Sequence, residues 1–222
     1  MMRTWFEREE LLHLPNGTVL FVCGAGGKTT LIHEIAQRVR ERGSSVLITT
    51  TTHMLKEDGL RTTEEQIRKQ LLKEGCAFAG KQDPKHEHKI CSPSMEELKS
   101  WIGLADVTLI EADGSRMLPF KAPYPWEPVI TEEATAIAVL YGAVAEGHPI
   151  GEISYNIEEV GRVLEGFSQL PEAERSGGIT EPDFRDICLT REMAEYVLTE
   201  TYLKPLRERF PKAETGLLRV VY

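Results

Sequence analysis

The stretch Thr18-Val19-Leu20-Phe21-Val22-Cys23, running straight into Gly24-Ala25-Gly26-Gly27-Lys28-Thr29-Thr30, restricts this chain more than any other. An unbroken apolar run of this length, rich in β-formers, is too short for a helix and reads as a strand buried on both faces. Glycines at 24, 26 and 27 each cost roughly 0.5–1 kcal/mol relative to alanine in regular structure. They are accounted for if the backbone curls and aims its N–H groups at an anion. From Lys28 the period becomes helical: Leu31, Ile32, Ile35, Ala36 and Val39 form one apolar stripe, while Glu34, Arg38 and Glu41 face away. Gly43 stops that helix, and Val46-Leu47-Ile48-Thr49 is a second strand. Strand, glycine loop and amphipathic helix in this order predict a phosphate loop, with the positive end of the helix dipole adding to the attraction.

On this reading Gly24, Ala25, Gly26, Gly27, Lys28, Thr29 and Thr30 bind a nucleoside triphosphate. Lys28 reaches the β- and γ-phosphates and the Thr29 hydroxyl ligates Mg²⁺. The long motif G-x-x-x-x-G-K-[ST] asks for glycine where this chain has Val22. What remains is the shorter G-x-x-G-K-T form, which resembles the loop of Mur-type peptide ligases.

Such a loop calls for an acid from another strand beside the metal. Val107-Thr108-Leu109-Ile110 is a third strand, and it runs into Glu111-Ala112-Asp113-Gly114. Alternation predicts Glu111 and Asp113 on one side, one binding Mg²⁺ and the other orienting or deprotonating an attacking group. Arg116 and Lys121 follow, an arginine suited to bidentate phosphate recognition and a lysine suited to a point charge. Either is equally at home on an ordinary surface. The run Thr49-Thr50-Thr51-Thr52-His53 closes the second strand, and strand C-terminal ends are where open α/β sheets bind ligands. Thr51, Thr52 and His53 are therefore expected near the triphosphate or its metal, although threonine also favours strands for its own sake. His86-Glu87-His88, beside Asp83 and Cys91, matches no zinc spacing and reads as a solvated loop.

Thr4 and Glu7 look like a capping box for a helix reaching His13, and Thr62/Glu65 and Ser94/Glu97 for helices near 63–74 and 95–103. Residues 81–89 read as a polar loop. Ala136–Tyr141 and Leu217–Tyr222 read as strands. Helices are expected near 156–166 and 190–209, the latter broken at Pro205. The prolines at 119, 123, 125 and 128, with Phe120, Tyr124 and Trp126, make a stiff aromatic segment that would wall a pocket or pack on the sheet. Strands alternating with helices predict an open, mostly parallel α/β sheet with helices on both faces. That is a three-layer, phosphate-loop NTPase-like fold, read as one domain spanning 1–222.

Composition bounds the rest. The chain is 41% hydrophobic and 27% charged, with no run near the roughly 18–20 apolar residues of a membrane span. The start, Met1 to Glu7, lacks the apolar core of a signal peptide, and the four cysteines are too dispersed for a disulfide framework. A cytoplasmic protein without a membrane partner is expected. A net charge of −9 argues against nucleic acid as a partner, but leaves room for a local anion site.

Four blocks together bring a family into view: 22–30, then Ile48 to Met54, then Ile110-Glu111-Ala112-Asp113-Gly114-Ser115-Arg116, then Pro119-Phe120-Lys121-Ala122-Pro123. In order and spacing they resemble the YqeC-type accessory proteins associated with selenium-dependent molybdenum hydroxylases. The similarity covers about the first 130 residues and is loose beyond. The resemblance implies a part in maturing a selenium- and molybdenum-containing cofactor, with nucleotide hydrolysis or transfer. A molybdenum-cofactor precursor or a selenium-dependent hydroxylase would be the partner. Three activities fit: a Mg²⁺-dependent NTPase or transferase, a nucleotide-dependent switch or chaperone, and a small-molecule kinase. ATP is the default nucleotide. The only asparagines, Asn16 and Asn156, form no Asn-Lys-x-Asp guanine motif.

Overall fold

The computed structural model describes residues 4–167 and 184–221. A six-stranded sheet forms the middle layer, built from β1 (Thr18–Gly24), β2 (Val46–Thr50), β4 (Cys76–Phe78), β7 (Val107–Glu111), β9 (Ala136–Gly142) and β11 (Glu214–Val220). Their order is β11-β9-β1-β7-β2-β4, and every pairing in it is parallel. Parallel strands need crossovers that bury both faces, so these strands are apolar nearly throughout. All seven residues of β1 and of β9 are buried.

Alternation divides the apolar side chains between two cores. Val19, Phe21 and Cys23 of β1, with Ile137, Val139 and Tyr141 of β9, face one side. Leu20, Val22, Ala136, Ala138 and Leu140 face the other, under α1 (Arg8–Leu12) and α2 (Lys28–Glu41). The first side is covered by α4 (Met95–Trp101), α5 (Ile150–Ile153), α6 (Ile157–Leu164), α7 (Arg191–Leu198) and α8 (Lys204–Arg209). A smaller cluster joins Leu47 and Ala77 to α3 (Glu64–Glu74) and Trp101. The result is the open three-layer α/β arrangement that the sequence predicts.

Several boundaries differ from expectation, each for a local reason. The first helix starts at Arg8, capped by a box between Glu7 and Glu10. Thr4 is free of it because the chain before Glu7 is bonded to β11, with Phe6 N–H on Leu217 O and Leu217 N–H on Thr4 O. Helix α3 is capped by Thr63, one residue later than expected, because the Thr63 hydroxyl accepts from the Gln66 amide. The Ser94/Glu97 box is present as predicted. Residues 81–89 are more than a loop: β5 (Lys81–Gln82) and β6 (Lys89–Cys91) join β3 (His53–Leu55) in a small antiparallel sheet ordered β3-β6-β5. Another short pair links β8 (Phe120–Lys121) to β10 (Ser154–Tyr155). The break near Pro205 spreads backward into a π-helical turn over Thr199–Leu203. The last strand begins at Glu214 rather than Leu217, and Tyr222 lies outside the described residues.

Candidate functional site

β1 lies between β7 and β9, so the loop after it opens at the C-terminal edge where the strand order diverges. Gly24, Gly26 and Gly27 all have positive φ, at 88°, 68° and 102°. A Cβ on Gly24 would lie 2.2 Å from Leu140 O, and one on Gly26 would lie 2.3 Å from the Gly142 nitrogen. These two glycines are therefore required by the close approach of the loop to β9, a demand independent of any phosphate. The loop is pinned by Ala25 N–H donating to Leu140 O at 2.8 Å and Gly24 N–H donating to Asp113 Oδ2 at 3.0 Å. Among the described residues, the amides of Gly26, Gly27, Lys28, Thr29 and Thr30 have no acceptor. They crowd the start of a fourteen-residue helix, where unpaired N–H groups and the dipole favour an anion.

Lys28 does not point out of the loop. Its Nζ donates to Gly24 O at 2.7 Å and lies 3.3 Å from Asp113 Oδ1, with the side chain 4% exposed. Burial opposes its charge, but the Asp113 and Glu111 carboxylates outweigh that and raise the ammonium above the usual lysine range. Asp113 is the hub of this arrangement. Its Oδ2 also accepts from the Tyr202 hydroxyl at 2.7 Å and lies 3.3 Å from Lys121 Nζ. Lys121 is itself fully buried and bonded to Glu127 and to Gly114 O, each at 2.7 Å. Two cations and two carboxylates thus neutralise one another in the interior, the condition under which buried charge is tolerated.

Glu111 departs from its expected companion. It sits at the end of β7 on the α2 face, where its Oε2 accepts from the Thr29 hydroxyl at 3.0 Å. Burial pushes its carboxyl above the usual range, against the opposing pull of Lys28 and Thr29. Asp113 instead meets Tyr202, from the π-helical turn that joins α7 to α8. The predicted alternation fails because β7 stops at Glu111, and beyond it Ala112 is fixed by bonds to both Val22 and Val129.

Thr51 also reaches this end of the sheet, its N–H donating to Glu111 O at 3.0 Å. The Thr51 hydroxyl donates to Val129 O at 2.7 Å, and the Thr52 amide donates to the Thr50 hydroxyl at 3.0 Å. These residues tie β2 to the end of β7. His53 belongs to β3, pairs with Cys91 and lies 3.6 Å from Asp83. Arg116 is exposed at φ 49°, with its guanidinium 4.9 Å over the Tyr155 ring. Lys121 is buried on Asp113 and Glu127, where it holds the base of the loop. In the aromatic segment Phe120 is buried, while Tyr124 stacks on Trp126 with ring centroids 4.9 Å apart and Trp126 70% exposed. Near residues 83–91, His86 Nδ1 lies 3.0 Å from Asp83, and no three candidate ligands converge on a metal site among the described residues.

Sequence reasoning missed two partners. Tyr202 is 89 positions from Asp113, a separation that leaves no local pattern. His33, one helical turn after Thr29, lies 2.7 Å from Glu57, which raises the imidazole above its usual value.

A parallel sheet between two helical layers, with a glycine loop joining its strand β1 to a helix, defines the class: an open three-layer α/β protein. A family model described as YqeC protein matches residues 20–158, which is more than half of the chain and includes every block named above. The chain belongs to the YqeC family. A relative from Escherichia coli (strain K12), named as an uncharacterized protein YqeC, is 33% identical over 141 residues. That match covers 60% of this chain and 54% of the relative, so it spans about half of the relative's length. No solved structure matches the chain. Among the described residues, no helix is long and apolar enough to cross a membrane.

Proposed function

We propose that this protein binds a nucleoside triphosphate with Mg²⁺ at Gly24–Thr30 and hydrolyses it or transfers part of it. The carrying observation is the set of five acceptor-free amides, Gly26 to Thr30, above a buried lysine and beside a Thr29–Glu111 pair. A hydroxyl and a carboxylate converging at 3.0 Å supply the hard oxygen donors that suit Mg²⁺, directly or through water. Asp113 Oδ2 is taken by Gly24, Tyr202 and Lys121, while Oδ1, buried and without a hydrogen-bond partner, lies 3.3 Å from Lys28 Nζ. Its work is to position the loop and store the Lys28 charge. Bound at Thr29, Mg²⁺ would neutralise charge on the phosphate chain.

The chain's own groups would do the rest. The amides hold phosphate oxygens in fixed directions, at no reorganisation cost when charge develops. Lys28 exchanges Gly24 O and Asp113 for a phosphate oxygen. Glu111, beside the metal, would orient an attacking hydroxyl or water. The place of this reaction in maturing a selenium- and molybdenum-containing hydroxylase rests on the family resemblance alone. It would be supported by nucleotide-dependent capture of such an enzyme or of its cofactor precursor.

The test is Mg²⁺-dependent turnover and a thermal-shift panel of ATP, GTP and CTP, on the wild type and on Lys28→Ala. Loss of about a hundredfold or more in turnover is expected. Turnover unchanged in Lys28→Ala would overturn the reading.

A further inference from the structure

The order of the strands gives the phosphate loop two unlike flanks. On one side of β1 lies β7, which carries Glu111 to Thr29. On the other lie β9 and then β11. With the metal-binding, reactive end of a triphosphate beside Glu111, the flank left for its opposite end is that of β9 and β11. A cavity of about 350 Å³ lies on that path, between the start of α2 and the end of β11. Its volume falls inside the range of about 300–1,000 Å³ typical of small-molecule sites.

Gly27 and Thr30 of the loop line this cavity directly, and Leu31, Val220 and Val221 give it apolar walls. Val221 is 59% exposed, a large apolar side chain beside a polar loop. At the far rim, Arg8 Nη2 lies 2.6 Å from both carboxylate oxygens of Glu34, fixing a charged pair. Apolar walls with a few oriented polar groups suit a flat heterocycle with hydrogen-bonding edges. A roomier cavity of 820 Å³ lies elsewhere, but it includes no residue of Gly24–Thr30. Its Glu127, Glu159 and Glu200 are already paired with Lys121, Arg162 and Lys204.

We infer that the nucleoside of the bound triphosphate lies in the cavity between α2 and β11, its base against Leu31 and Val221 and its edge read by Arg8 and Glu34. This assignment rests on the phosphate-loop reading above and adds the position of the base.

Calorimetric titration with Mg²⁺ and either inorganic tripolyphosphate or each of ATP, GTP, CTP and UTP separates the two ideas. The protein is used as the full chain, in wild-type form, as the double variant Arg8→Ala/Glu34→Ala, and as Val221→Trp. The double variant removes one charge of each sign and leaves the net charge unchanged. Val221→Trp alters the cavity wall at an exposed position that the folded core does not need. The wild type should bind its preferred nucleotide at least about tenfold more tightly than tripolyphosphate. The double variant should lose about tenfold in nucleotide affinity and remain within about twofold for tripolyphosphate. Val221→Trp should change nucleotide affinity alone.

Equal binding of tripolyphosphate and nucleotide by the wild type would overturn the nucleoside site and leave the phosphate loop standing. So would variants that shift both ligands together, or neither. A wild type that binds neither ligand overturns the phosphate-loop reading, and this inference with it.

Discussion

Glu111 and Gly26 show how single positions in and beside this loop bear on folding and on the proposed ligand site together. Burial holds the Glu111 carboxyl above the 4.5 of an ordinary glutamate. The folded protein therefore binds that proton more tightly than the unfolded chain. The stability it contributes is complete below pH 4.5 and is lost as pH rises through the raised value. Glu111→Gln keeps an acceptor for Thr29 and removes the buried charge. At pH 7–8 it should melt at a higher temperature than the wild type, by the equivalent of on the order of 1 kcal/mol. The difference should vanish toward pH 4, while Mg²⁺-dependent turnover falls at every pH. A wild type more stable than the variant at pH 7 would show that Lys28 outweighs burial. Gly26→Ala acts differently. The added methyl meets Gly142 N and Cα at 2.3 and 2.6 Å, on a backbone already at φ 68°. A loss of about 2–4 kcal/mol is expected, read as a lower urea midpoint without ligand. An unchanged midpoint would mean that the loop does not pack against β9 as described.

Among the elements, the π-helical turn at Thr199–Leu203 has the longest reach. It ends at Leu203, two residues before Pro205, whose missing N–H prevents a regular helix from running through. The wider turn brings the Tyr202 hydroxyl to 2.7 Å from Asp113. Tyr202→Phe should cost about 1–3 kcal/mol in chemical denaturation, because a buried carboxylate loses one of its donors. A neutral result would show that Lys121 and Gly24 already satisfy Asp113. Elements with strong apolar periodicity, β1, α2, β2, β7 and β9, were readable from the sequence to within a residue or so. β4 was not, because Cys76-Ala77-Phe78 is too short to display alternation. β5 was hidden because Lys81 and Gln82 read as polar surface, although they pair with β6. The site divides in the same way. Lys28, Thr29 and Glu111 stand where short motifs put them. For Lys121 the sequence shows the charge but not the burial or the pairing with Glu127 and Asp113.

On the scale of the whole molecule, the parallel sheet ends in β11, an edge open to association unless something covers it. The chain before α1 does so, bonding Leu217 on both its N–H and its carbonyl and laying Phe6 against Gly216. Phe6→Ala should cost about 3–5 kcal/mol and promote self-association, visible by light scattering near the midpoint of unfolding. A monodisperse variant of unchanged stability would show that the edge is protected by other means. The same molecule carries nine excess negative charges, so an approaching polyanion is attracted only by local groups. The strongest of these, Lys28, is already paired with Asp113. On the proposed reading, Asp113 is a resident competitor that an incoming anion would have to displace. Chloride or a single phosphate would offer too few contacts to do so, whereas a chain of phosphates would fill the amide row and the lysine together. The pairing that lets a lysine be buried would then also set a threshold of valency for what the loop retains.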